Sequence, residues 1–183
     1  MKHNLQFMIP LPGDKQNAIA FMNEFPKDAH VSGSGSLDEY LRTKSYEEWL
    51  QKLHEDADFA NTKEDRCPAI TYFAVDMDSL SIVGIIQCRF ERLTQRMTEF
   101  GHIGCSVRPN MRKIGYGTQI LQMALDMYTR MGMHAVYITC DDDNVASQMI
   151  IERNGGCLMS VQKMPLDLPE KRLYRIDLRW KDV

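Results

Sequence analysis

Apolar positions change their spacing several times along the chain, and each change predicts a change of element. From Lys15 to Phe25 the apolar residues fall at 18, 19, 21, 22 and 25, the spacing of one helix face, and Pro26 closes the run. Ser45 caps a second predicted helix, from Tyr46 to about Phe59, whose stripe is Trp49, Leu50 and Leu53. Between the two, Ser32-Gly33-Ser34-Gly35-Ser36 has the composition of a flexible loop. The helical spacing then stops. Ala69 to Val75 and Ser81 to Arg89 are β-branched and aromatic runs separated by Asp-Met-Asp-Ser, which predicts a hairpin. A charged loop from Glu91 to Glu99 follows. His102 to Val107 is a third predicted strand, ended at Arg108-Pro109 because proline restrains its predecessor and lacks a donor.

Helical spacing returns between Gly115 and Met131, with apolar residues at 120, 121, 124, 125 and 128 and Gly132 at the C-terminal cap position. Ala135 to Cys140 is a predicted buried strand. The turn Asp141-Asp142-Asp143-Asn144 leads into a helix from about Val145 to Arg153, which Asn154-Gly155-Gly156 stops. Two further strands, Cys157 to Val161 and Arg172 to Trp180, flank a proline-bearing loop. A meander followed by strand, helix, strand, helix, strand predicts an α/β (α+β) fold with a mixed, mostly antiparallel central sheet flanked by helices. There is no repeat. A length of 183 residues with 44% hydrophobic content fits one domain over residues 1–183. An exposed sheet edge near 172–180 predicts a homodimer.

Charge and cysteines narrow the function classes. A net charge of −3 supplies no global field for nucleic acid or an anionic membrane, and no run approaches eighteen apolar residues. The five cysteines are widely spaced, odd in number and never form C-x-x-C, which argues against a disulfide framework or a metal site and predicts a cytoplasmic protein.

One stretch carries chemistry. Arg112-Lys113-Ile114-Gly115-Tyr116-Gly117-Thr118 lies between a strand end and a helix start. A helix N-terminus has unpaired amides and partial positive charge, so it holds phosphates. Glycines at 115 and 117 let a pyrophosphate approach the backbone, and Arg112 and Lys113 add charge-assisted bonds. The spacing is neither the Walker loop nor the dinucleotide fingerprint. A nucleic-acid site built on Arg108, Arg112 and Lys113 would need a broader basic stripe than this chain has.

Ser106-Val107-Arg108-Pro109 followed by Arg112-x-x-Gly115-x-Gly117 resembles motif A of the GNAT acyltransferases. Asn144-x-x-Ser147 with Ile151-Glu152-Arg153-Asn154-Gly155-Gly156 resembles their motif B. The resemblance implies an enzyme that transfers an acetyl group from acetyl-CoA, with no metal, to an amine-bearing acceptor, small molecule or protein. It implies a strand at Cys105 to Val107 splayed from the strand at Val136 to Cys140, with backbone groups of Cys105 and Val107 bonding the pantetheine amides. Asn144 and Ser147 would contact the other side of the arm, and Ile151 occupies the place where the family commonly carries a tyrosine that protonates the thiolate. The alternative is a binding or sensing module that keeps the cofactor but not the chemistry.

Acyl transfer needs a neutral nucleophile, a stabilised oxyanion and a proton for the thiolate. The amide near Val107 suits the oxyanion. His102 or Glu99 is a candidate base, and Tyr116, Tyr137 or water a candidate acid. Cys105 and Cys140 lie in apolar strands and read as core, as do Met123, Met127, Met131 and Met133. By resemblance the acceptor site draws on the N-terminal helices and the loops at 91–99 and 162–171. Asp56, Asp58, Glu64 and Asp65 read as a solvated acidic face rather than an amine receptor.

Overall fold

The computed structural model describes residues 2–60, 67–90, 100–163 and 169–178. The chain divides into two compact units, residues 1–90 with 104–120, and residues 91–103 with 121–183.

The first unit is a four-stranded sheet in the order β1 (Leu5–Met8), β2 (Ala69–Asp76), β3 (Ser81–Arg89) and β4 (Ile103–Val107), of which only Ile103 belongs to the second unit. β1 pairs antiparallel with β2, and β2 with β3, in the register Phe73↔Ile85, so the predicted hairpin forms. β1 was not legible from spacing, because four residues are too few for a period to stand out. Three helices, α1 (Lys15–Met22), α2 (Leu37–Thr43) and α3 (Tyr46–Asp56), close one core with the sheet: Phe21, Leu37, Tyr46, Trp49, Phe73 and Ile85 cluster together. Burial of each such side chain contributes about 1.5–3 kcal/mol. Ser45 caps α3 as its position predicts, its hydroxyl oxygen accepting from the Glu48 amide at 3.2 Å.

The Ser-Gly repeat corrects the expectation drawn from composition. Instead of a flexible loop, residues 33–35 are buried, with Ser34 1% exposed. Trp49 Nε1 donates to the Ser34 and Gly35 carbonyls at 3.0 and 3.1 Å, and Ser106 Oγ donates to the Ser32 carbonyl at 2.9 Å. Glycine serves there because it permits close backbone approach, with Gly33 lying against Gly104 of β4.

α4 (Tyr116–Arg130) begins in the first unit and continues into the second, burying Ile120, Leu121, Ala124, Leu125 and Tyr128, the stripe read from the sequence. The second unit has a three-stranded antiparallel sheet in the order β5 (Ala135–Asp141), β7 (Lys171–Asp177), β6 (Cys157–Gln162), with α5 (Val145–Arg153) against β5. Its core holds Val136, Ile138, Ile151, Tyr174 and Ile176. The expected edge at 172–180 is overturned: β7 is the central strand, paired on both sides, and Trp180 lies outside the described residues. Among the described residues β5 and β6 are the two terminal strands of this sheet, and β6 exposes Leu158, Met159 and Val161 at 47, 53 and 45%. No helix among the described residues is long and apolar enough to cross a membrane.

Candidate functional site

β4 is the terminal strand of the four-stranded sheet among the described residues. The Arg108 amide donates to the Val83 carbonyl on β3 at 2.9 Å. Backbone groups alternate sides along a strand, so those of Val107 and Cys105 face the opposite edge. The Val107 carbonyl confirms this, since it accepts from Arg112 Nε at 3.1 Å rather than from β3. The sheet thus presents a row of strand-type donors and acceptors immediately before the glycine loop.

A 3₁₀ turn at Pro109–Met111 joins β4 to that loop. Arg108 is committed inside the fold: its Nε donates to Glu24 Oε1 at 2.6 Å and its Nη1 to the Ile82 carbonyl at 3.2 Å. Asn110 Nδ2 reaches the same Glu24 oxygen at 3.1 Å. Arg108 therefore supplies no free cation, which further weakens a nucleic-acid reading. Arg112 and Lys113 are exposed, and the Arg112 guanidinium lies 5.6 Å from the centre of the Phe25 ring.

The loop is shaped by left-handed residues, Lys113 at φ +67° and Gly115 at φ +104°. The Gln119 amide donates to the Gly115 carbonyl at 3.2 Å and closes the first turn of α4, so the helix does not consume the amides of Tyr116 and Gly117 ahead of it. Thr118 and Gly117 are half-buried on that first turn, and Ile114 is 55% exposed. Tyr116 turns inward. Its hydroxyl donates to Asp76 Oδ2 at 2.7 Å, and burial, reinforced by that carboxylate, pushes its pKa up to about 12. A phenol held this way keeps its proton, which makes it a poor acid for a departing thiolate.

His102 is 1% exposed. Its Nδ1 accepts from the Tyr137 amide at 3.0 Å, its ring stacks on Tyr137 with centroids 5.9 Å apart, and its carbonyl accepts from the Tyr128 hydroxyl at 3.0 Å. With Nδ1 accepting, the neutral ring carries its proton on Nε2. Within the second unit these contacts tie His102 to Tyr137 of β5 and Tyr128 of α4. Glu99 lies outside the described residues, as do Glu64 and Asp65 of the acidic run. Asp56 of that run is paired with Lys52 one helical turn away, and Asp58 accepts from the Ala60 amide.

In the second unit Asn144 caps α5, its Oδ1 accepting from the Ser147 amide at 3.0 Å; Asn144 is exposed and Ser147 half-buried. Ile151, 3% exposed, packs into the close contact that only Gly156 allows: a Cβ there would lie 2.4 Å from Ile151 Cγ2. Burial pushes the thiols of Cys105 and Cys140 up to about 12 and about 11, with Asp141 adding to the second, so neither is a nucleophile near neutral pH.

Three groups around the loop escaped the sequence reading: Glu24, Asp76 and His3. Each acts on a partner 40 to 111 residues away, and nothing in its local sequence marks it.

The sequence pattern of the acetyltransferase (GNAT) domain matches residues 15–156. No curated protein sequence matches the chain. Among solved structures, the Salmonella typhimurium acetyl transferase that modifies the N-terminal serine of ribosomal protein L7/L12 superposes with a TM-score of 0.71 at 16% identity, over 97% of this chain and 97% of that one. Salmonella typhimurium yncA, with its cofactor acetyl-CoA, gives 0.66 at 12% identity, over 98% and 97%. The spermidine/spermine N-acetyltransferase SpeG of Vibrio cholerae gives 0.63 at 10%, over 96% and 94%. Such identities establish a shared fold. The family pattern spans most of the chain and includes β4, the glycine loop, α4 and α5, and the chain accordingly belongs to the GNAT acetyltransferases.

Proposed function

We propose that this chain moves an acetyl group from acetyl-CoA to a primary amine, on a small molecule or a protein, by direct attack of the amine on the thioester. The observation that carries the reading is the order of parts along one stretch of backbone. The edge of β4 at Cys105 and Val107, which no strand among the described residues covers, leads directly into a loop with Arg112, Lys113 and the first amides of α4. An extended pantetheine arm satisfies such an edge as a strand would, and a pyrophosphate satisfies the helix start.

In this proposal Arg112, Lys113 and the backbone from Ile114 to Thr118 hold the pyrophosphate. The Val107 amide faces the developing oxyanion. The amine nitrogen bonds to the carbonyl carbon, the C–S bond breaks, the nitrogen gives up a proton to solvent, and the sulfur leaves as a thiolate that takes a proton from solvent. A free thiol has a pKa of about 8.5, so departure without a dedicated acid is feasible near neutral pH. The buried Ile151 and the proton held between Tyr116 and Asp76 both favour that route. Solved relatives that act on a ribosomal-protein N-terminus and on spermidine or spermine share one acceptor chemistry, a primary amine, and this supports the class of acceptor proposed.

Calorimetric titration with acetyl-CoA and with CoA tests the reading. Micromolar binding of both is expected, with a loss of at least about 30-fold when Arg112→Ala and Gly117→Trp are combined, because charge and access are removed together. Thiol release with a panel of primary amines then reads turnover. Absence of binding by the unaltered protein overturns the proposal, and firm binding without turnover on any amine turns it into a cofactor-binding module.

A further inference from the structure

The glycine loop is held from outside by the segment that precedes β1. His3 is bound to the first turn of α4 through its own backbone: its amide donates to Gln119 Oε1 at 2.8 Å, and Gln119 Nε2 donates to its carbonyl at 2.6 Å. So anchored, its side chain makes two contacts. The imidazole stacks on the Tyr116 ring at a centroid distance of 3.9 Å with the planes 25° apart, and Nε2 lies 2.8 Å from the Ile114 carbonyl oxygen. A carbonyl only accepts, so Nε2 is protonated and donates.

That bond bears on the direction in which the loop presents its polar groups. In a trans peptide the C=O and N–H point in opposite directions. Holding the Ile114 oxygen towards His3 therefore turns the Gly115 N–H the other way. Gly115, at φ +104°, lacks the side chain that would otherwise restrict rotation of this peptide unit, so its orientation needs an external restraint. Rotated by half a turn, the unit would put a carbonyl oxygen where an anion requires a donor.

We propose that His3 is a positioning residue for the cofactor loop, whose Nε2–H selects the orientation of the Ile114–Gly115 peptide that offers a donor to the pyrophosphate. This rests on the reading that the loop holds the pyrophosphate of CoA. His3 acts through the peptide it fixes, and the two Gln119 bonds keep it in place whatever side chain it carries.

The test compares His3→Phe, which keeps a ring over Tyr116 and removes the donor, with His3→Gln, which restores an N–H donor without the ring. Affinity for CoA is measured by calorimetry, and affinity for pantetheine, which lacks the pyrophosphate, by competition at millimolar concentration. The expected result is CoA binding about fivefold weaker in His3→Phe, the factor one neutral hydrogen bond supplies, recovery to within about twofold in His3→Gln, and pantetheine binding unchanged in both. CoA binding by His3→Phe equal to that of the unaltered protein overturns the inference while leaving the cofactor reading standing, provided the Arg112 and Gly117 double variant shows its expected loss of at least about 30-fold. Equal weakening of CoA and pantetheine assigns His3 a merely structural role and overturns it too. Failure of the unaltered protein to bind CoA removes both readings together.

Discussion

Gly33→Ala tests a close backbone approach in the first unit. A Cβ on Gly33 would lie 2.1 Å from the Gly104 oxygen, 2.5 Å from the Gly104 carbonyl carbon and 2.8 Å from the Cys105 nitrogen. All three are backbone atoms of β4, so no rotamer change relieves the contact; to reach even 3.0 Å the two segments must part by about 0.9 Å. Overpacking of that kind costs about 1–3 kcal/mol, and placing alanine at φ +79° adds about 1–2 kcal/mol, so a loss of about 3–4 kcal/mol is expected. Gly132 supplies the control, since it has the same φ of +79° and nothing within 4 Å of its virtual Cβ. Gly132→Ala should therefore lose only the backbone part, about 1–2 kcal/mol. Urea unfolding followed by far-ultraviolet circular dichroism reads both. With a slope of about 2 kcal/mol per molar, the Gly33→Ala midpoint falls by about 1.5–2 M and that of Gly132→Ala by less than about 1 M. Because Gly104 adjoins Cys105, Gly33→Ala should also weaken CoA binding, and Gly132→Ala should not. Equal midpoints for the two variants would refute the close-approach argument.

Asp76 gives a pH-dependent test. The Tyr116 hydroxyl, helped by the Ser79 amide, holds its carboxyl below the ordinary 3.8. The folded value is below the unfolded one, so the stability it contributes is present above about pH 4 and is lost as pH falls through the folded value. Asp76→Asn should lower the urea midpoint at pH 7 and flatten the acid limb below pH 4; a variant curve parallel to the original from pH 7 to pH 3 contradicts the assignment. Thiol labelling distinguishes the cysteines. At pH 8, thiols at about 12 and about 11 expose roughly one thiolate in ten thousand for Cys105 and one in a thousand for Cys140, whereas Cys157 is exposed. Mass spectrometry after brief alkylation of the native protein should find Cys157 modified and Cys105 and Cys140 intact, and rapid labelling of Cys105 would show that its thiol is not held in the protonated form.

Much of this protein is legible without coordinates. Spacing alone determined α4, whose stripe from Ile120 to Tyr128 is buried as read, the hairpin of β2 and β3, the Ser45 cap, and the glycine loop at a strand-to-helix junction. These features are encoded within a dozen residues, where backbone geometry ties sequence period to burial. What only the tertiary structure decided lies between residues far apart in the chain. The Ser-Gly segment is packed rather than loose because Trp49 and Gly104 meet it, β7 is central because β5 and β6 pair on either side of it, and Arg108 is committed because Glu24 reaches it. His3 belongs to the same class, since its contacts with Ile114 and Gln119 exist only once the chain has closed over more than a hundred residues. Local period constrains which face of an element is buried; which segment covers it depends on the closure of long loops and the match of surfaces, and no short window of sequence records either.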